Sequence, residues 1–195
     1  MGGAQRTGGE WQATEGNKPM KKRAFASMIL AWSVTLSAQA ASLADRVFAK
    51  AKGSPAMLQA LSPADRQAIV SLLPLAIGPG GSIVDNTDCR RDARPALSVV
   101  DLRRDGQPAV FAVTGNACTS GATGASLYLV AKVSGQWRLY FDVPAIEYRL
   151  LRSQANGWPE IGLLGRYDCI GVWQFDGRDY KHVRNVDDRG NLCKE

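Results

Sequence analysis

The sequence predicts a mainly β domain, an antiparallel meander with a short helical N-terminal cap. Three observations carry that reading. Apolar runs of strand length recur from Ala96 onward, tight-turn dipeptides separate them, and a Gly/Pro cluster divides them from helical patterns upstream. A β-sandwich, a partial barrel and a propeller-like sheet all satisfy the pattern. Alternation determines which side chains share a face, but not whether the sheet closes.

The first hairpin pairs 96–102 with 109–113 around Arg103-Arg104-Asp105-Gly106-Gln107-Pro108. The second pairs 126–133 with 136–142 around Ser134-Gly135. Between them lies loop 114–125, the predicted binding loop. Gly115, Gly121 and Gly124 expose backbone amides there, and Asn116, Thr119, Ser120 and Thr123 offer short hydrogen-bonding groups. The loop lacks the Gly-Lys-Ser/Thr ending of a phosphate loop and the pattern of a nucleophile elbow, and no cofactor is expected.

In the second hairpin Trp137, Leu139 and Phe141 are expected on one face, with Arg138 and Tyr140 on the other. Pro144 interrupts the run. Residues 146–151 give a further strand, Asn156-Gly157 closes a type I′ turn into 158–164, and Asp176-Gly177 joins 171–175 to 178–183. Most aromatic residues are expected in the core. Tyr140, Tyr148 and Trp158, on a polar face or beside a turn, are expected to form a contact patch.

Upstream, residues 42–51 place Leu43, Val47 and Phe48 at helical spacing. A second helix follows from Ser62 as N-cap, Pro63 at the first position and Asp65 completing a capping box. The Gly78-Pro79-Gly80-Gly81 cluster ends this part, dividing the domain into a helical cap, 41–81, and an antiparallel β region, 82–195. Residues 82–95 form a mixed-charge loop carrying Asp85, Asp88, Cys89 and several arginines.

Ahead of the domain, 20–40 reads as a signal peptide. Lys21-Lys22-Arg23 is its basic start, 24–36 its apolar stretch, and Ala38-Gln39-Ala40 its cleavage site. Residues 1–19 are an unstructured lead-in or a start assigned too far upstream. A membrane span needs roughly 20 apolar residues, so no stable span is expected after cleavage. The expected location is the periplasm or the medium. Much of the net charge of +6 belongs to the leader, since from Ala41 onward 19 basic residues face 16 acidic ones. No dense basic stripe supports a nucleic-acid partner.

Cys89, Cys118, Cys169 and Cys193 all follow the leader. In an oxidising compartment they predict two disulfides with three possible pairings. Cys89 with Cys118 and Cys169 with Cys193 is the preferred set, and crossed pairs stay open if strands from the two ends meet. Their spacing matches neither a zinc site nor a CxxC redox pair.

The turn Asp101-Leu102-Arg103-Arg104-Asp105-Gly106-Gln107-Pro108 resembles the calcium-binding turn of FG-GAP or VCBS-like repeats, which are β-rich extracellular units. That resemblance implies Asp101 and Asp105 as calcium ligands, although Arg103 stands where an oxygen is expected. The order of turns and aromatics from Asp101 to Lys181 also resembles a class of poorly characterised bacterial envelope proteins. The likeness implies an exported β fold and carries no activity. The functional expectation is a protein-binding module with an envelope or secreted partner, including an inhibitor or immunity-like protein against an envelope enzyme. A hydrolase drawing on Asp85, Asp88, Asp105, Ser120 and His182, and a calcium-stabilised structural domain, are the alternatives.

Overall fold

A computed structural model describes residues 41–164 and 169–193, so the predicted lead-in and signal peptide lie outside the described residues. Three short helices come first: α1 (Leu43–Phe48), α2 (Pro55–Gln59) and α3 (Pro63–Ser71). Ser42 and Ser62 cap α1 and α3, and Asp45 and Asp65 complete the two capping boxes. The first helix stops at Phe48, short of the expected 51. The second helix of the three, capped by Ser54 with Pro55 at its start, escaped the sequence reading because five residues are too few to show a period.

The predicted cap is not helical throughout. Strands β1 (Lys52–Gly53) and β2 (Leu75–Ile77) fall within 41–81, and β2 pairs antiparallel with β3 (Ile83–Asp85) across the glycine cluster. Gly80 and Gly81 make that reversal at φ of 66° and 80°, so the cluster is a hairpin turn and not a boundary between regions. The β1 strand adds a parallel edge to an otherwise antiparallel sheet.

That sheet runs β1-β4-β5-β6-β7, built from β4 (Ala96–Asp101), β5 (Pro108–Thr114), β6 (Ser126–Val133) and β7 (Gln136–Pro144). A second sheet runs β11-β10-β9-β8, from β8 (Glu147–Ala155), β9 (Trp158–Leu164), β10 (Ile170–Phe175) and β11 (Tyr180–Val186). Both predicted hairpins of the first sheet are present. At Ser134-Gly135 and Asn156-Gly157 both turn residues have positive φ, as a type I′ turn requires.

The two sheets face each other across an aromatic core in which Phe111 stacks on Tyr148 and Phe141 lies against Trp173 and Tyr180. The other face of the first sheet packs Leu97, Val99, Val110 and Val130 against Val47, Ile69 and Val70 of the helices. The architecture is a β-sandwich with a helical layer added. Strands β5 and β6 lie in the middle and are buried on both faces, which is why they read as near-continuous apolar runs.

A β-bulge corrects the expected face assignment in β7. Leu129 pairs with Phe141 while Val130 pairs with Leu139, leaving Tyr140 as the extra residue. Trp137 and Leu139 therefore pack with the helices, whereas Tyr140 and Phe141 both pack toward the second sheet.

Candidate ligand cavity

The end of α3, the loop after β3, the loop after β5, the start of β6 and the end of β7 meet at one corner of the helical face. Between them is a cavity of about 600 Å³. Ligand sites span roughly 300–1,000 Å³.

Asp85 organises one wall. Its carboxylate, 1% exposed, accepts hydrogen bonds from Thr87 N–H and Oγ1–H, from Arg90 N–H and Arg91 N–H, and from Asn116 Nδ2 at 3.0 Å. Burial alone would raise its pKa, but these donors outweigh it and lower the group to about 2. The carboxylate is thus an ionised hub that shapes its loop. Asn116 also caps α4 (Ala117–Ser120), accepting from Cys118 N–H at 2.9 Å and Thr119 N–H at 3.3 Å. One side chain therefore ties the two loops together.

The Cys89–Cys118 disulfide ties them a second time, with Cα atoms 6.2 Å apart. Cys169 pairs with Cys193 at the C-terminal end, so the preferred pairing is the one observed. Gly115 completes the wall at φ of 119°. A Cβ there would fall 2.7 Å from Ser120 Oγ and 2.9 Å from Thr119 Oγ1, so this close approach needs glycine.

Leu72, Leu73, Pro74 and Leu139 supply the apolar part of the lining, while Asp85, Asp88 and Asp142 supply three carboxylates. Among the described residues no Lys, Arg or His lines the cavity. Tyr128 and Asp142 are cross-strand partners on β6 and β7. Burial, then the neighbouring Asp142 charge, pushes the Tyr128 phenol up to about 12. Asp142 reaches solvent through the mouth but is flanked by protein, and burial raises its carboxyl above the usual range while Tyr128 partly offsets this.

The predicted binding residues separate in space. Thr119 lines the cavity, Asn116 supports its wall, and Ser120 is buried behind it with Oγ 2.9 Å from Ser126 Oγ. Thr123 belongs to the 3₁₀ turn Gly121–Thr123, away from the lining. The expected contact patch is corrected. Tyr140 and Trp158 are 6% and 5% exposed, their ring centroids are 4.9 Å apart, and Tyr148 stacks on Phe111 at 3.7 Å, so all three are consumed by packing between the sheets. The sequence reading missed Tyr128 and Asp142. The available signal was Asp142, a carboxylate closing an otherwise apolar strand.

Of the hydrolase candidates, Asp85 and Asp88 line the cavity and Ser120 stands behind it. Asp105 lies in the β4–β5 turn, paired with Arg103 at 2.6 Å, and His182 lies on β11 with Nε2 2.8 Å from Asn185 Oδ1. The five groups do not form one site. In the calcium-like turn, Asp101 Oδ1 and Oδ2 accept from Asp105 N–H and Gly106 N–H, so local turn geometry engages both oxygens. Among the described residues no group of three or more His, Cys, Asp or Glu is placed to hold a metal ion. No helix among them is long and apolar enough to cross a membrane.

A second recess, of about 240 Å³, has the opposite charge, with Arg103, Arg138 and Arg178 beside Tyr140, Trp158 and Phe175. Arg103 lies 5.2 Å over the Trp158 ring and pairs with Asp105, while Arg138 lies 5.2 Å over Tyr140 and pairs with Asp179. These cations cap the aromatic core and already have partners. Comparison of the chain with known protein families, curated proteins and solved structures returns no match.

Proposed function

We propose that this protein is an exported, disulfide-stabilised binding module whose recognition site is the cavity beside Cys89–Cys118. The observation that carries the reading is the double fastening of its walls. A carboxylate with five donors and a covalent bridge hold the two loops, which lowers the ordering cost of receiving a partner. An inhibitor or immunity-like protein acts by presenting such rigid loops to the cleft of an envelope enzyme. The two disulfides and the leader-like segment support an oxidising, extracytoplasmic location. Catalysis is the weaker reading, because Ser120 Oγ faces Ser126 Oγ and not a base.

The test is a crosslinking pull-down from intact envelopes, comparing the wild-type protein with Asn86→Trp. Asn86 is exposed at the cavity lining and its side chain makes no hydrogen bond among the described residues, so an indole there obstructs the cavity without entering the core. Enrichment of one protein by the wild type and its loss with the folded variant supports the reading. Equal recovery by both proteins removes the cavity from recognition.

A further inference from the structure

We propose that the Cys89–Cys118 bridge is a redox latch on the cavity, opened by a dithiol that supplies two electrons and closed again by oxidation. The proposal rests on the cavity being the recognition site and names how that site is regulated.

The two bridges differ in place more than in what they contribute to the fold. They join residues 29 and 24 apart in sequence, so each removes a similar chain entropy from the unfolded state. Cys89 and Cys118 both line the cavity, whereas Cys169 and Cys193 do not. Access differs too. Cys118 is exposed at the surface, while Cys89, Cys169 and Cys193 are each partly buried. A thiolate from solvent therefore reaches the first bridge at Cys118, between the uncharged neighbours Ala117 and Thr119.

Each loop that the bridge joins is held by its own hydrogen bonds. Asp85 gathers the amides of Thr87, Arg90 and Arg91, and Cys89 N–H donates to Thr87 Oγ1 at 3.2 Å. On the other side Asn116 caps α4, and Asn116 N–H donates to Thr119 Oγ1 at 3.0 Å. At their base the loops meet where Thr114 Oγ1 and Gly115 N–H donate to the Ala93 carbonyl at 2.7 and 3.2 Å. Beyond that base, one side-chain hydrogen bond, Asn116 Nδ2 to Asp85, and the bridge itself join them among the described residues. Opening the bridge leaves two ordered loops joined at their tips by a single hydrogen bond. Such a segment opens locally and does not carry the fold with it.

The second bridge offers no such device. Cys193 N–H donates to the Asn185 carbonyl at 3.0 Å, Leu192 pairs with Val186, and Ile170, next to Cys169, pairs with Val186 as well. Both cysteines stay in place through backbone pairing after that bridge opens.

The chemistry is thiol–disulfide exchange. A thiolate of the dithiol attacks Cys118 Sγ, the S–S bond breaks, and Cys89 leaves as a thiolate that takes a proton. The donor's second thiol, after losing its proton, attacks the donor sulfur of the mixed disulfide and releases Cys118, which is protonated in turn. The bridge gains two electrons and two protons, and the dithiol departs as its own disulfide.

The experiment treats the purified, oxidised protein with dithiothreitol for increasing times, traps thiols with N-ethylmaleimide and identifies the labelled cysteines by peptide mass. Amide hydrogen exchange on reduced, unlabelled protein reads the loops. Cys89 and Cys118 should be labelled roughly tenfold faster than Cys169 and Cys193. Amides of 86–91 and 116–120 should then lose protection while those of β5 and β6 keep theirs, and reoxidation should restore the loops. A permanently open variant, Cys89→Ser with Cys118→Ser, should lose the protein that the wild type enriches from envelopes.

Earlier or simultaneous opening of Cys169–Cys193 overturns the proposal, as do loops that stay protected after reduction. Loss of protection throughout β5 and β6 overturns it too, because the bridge is then a staple of the whole fold. The exchange data on the reduced wild type decide these points even if the serine variant fails to fold. If the folded open variant recovers the protein that Asn86→Trp loses, the cavity remains the recognition site and only the latch is wrong. If Asn86→Trp recovers it as well as the wild type does, the proposed function falls, and the latch as its regulation falls with it.

Discussion

The two faces of the central sheet solve different problems. The face toward the second sheet is closed by rings, with Trp158 and Phe175 stacked at 4.6 Å and Tyr180 donating to the Pro159 carbonyl at 2.8 Å. Its edge recess is capped by arginines that already have carboxylate partners. The face toward the helices is largely aliphatic, and where α3 ends at Ser71 its layer gives out. Two loops complete that corner by polar and covalent ties and leave a cavity. Burial alone therefore does not make a site here. The cavity corner is where side-chain packing stops and hydrogen bonding takes over the task of holding the walls.

The strongest way to break this contrast is to cut the aromatic face. Phe111 is 1% exposed and stacks on Tyr148, so Phe111→Ala should cost about 3–5 kcal/mol, read as a lowered denaturation midpoint. Because the cavity lies on the opposite face, the fraction that remains folded should recover the same protein in the envelope pull-down. Loss of binding in that folded fraction would mean that the two faces are one cooperative unit.

Removal of the Cys89–Cys118 bridge by a double serine substitution should cost about 3 kcal/mol and weaken cavity binding as well. The same change at Cys169 and Cys193 should lower stability and leave binding intact, since neither residue lines the cavity. Equal effects of the two pairs on binding would show that the first bridge has no special role at the site.

A smaller effect is expected at Asp65, which joins the layers away from the cavity. It accepts from Ser62, from Lys132 Nζ at 2.8 Å and from Trp137 Nε1 at 2.7 Å, fastening the start of α3 to the far end of the β6–β7 hairpin. The Lys132 contact, followed by Ser62 and Trp137, holds its carboxyl below the usual range. A lowered pKa stabilises the fold fully above the unfolded-state value, and that stabilisation disappears as pH falls through the folded-state value. Asp65→Ala should cost about 2 kcal/mol at neutral pH and progressively less in acid. A constant cost across acid denaturation curves would place the contribution in packing.

This distribution explains what the sequence disclosed. Hairpins were readable because period-two alternation and positive-φ dipeptides are local, and the Ser62-Pro63-Asp65 start of α3 is a local signal too. The disulfides followed from the proximity of each cysteine to a predicted hairpin or to the tail. Two kinds of feature were hidden. The bulge at Tyr140 shifts Phe141 and the later side chains of β7 to the other face without a glycine or proline to mark it, while Tyr140 keeps its expected face and is buried because the second sheet covers that face. The cavity joins Leu72, Asp85, Thr119 and Asp142, which are distant in sequence and belong to four separate segments. Loop 114–125 was legible as one wall of a site; the opposite wall exists only after the strands pair.

The smallest stability effect is the one that most sharpens the contrast, and it has the opposite sign. At Asp142 burial raises the carboxyl, so the folded protein binds this proton more readily than the unfolded chain does. Above the folded-state pKa the ionised group opposes folding, and that opposition fades as pH falls through the folded-state value and is gone below the unfolded-state one. Asp142→Asn should therefore be neutral or stabilising by a few tenths of a kcal/mol near pH 7, the gain being small because solvent screens an exposed group. At acidic pH the two proteins should unfold together. A substitution that leaves the fold untouched or firmer, yet abolishes recovery in the envelope pull-down, would mark Asp142 as a residue retained against stability for binding. A stability loss of 1 kcal/mol or more would instead assign it to the scaffold.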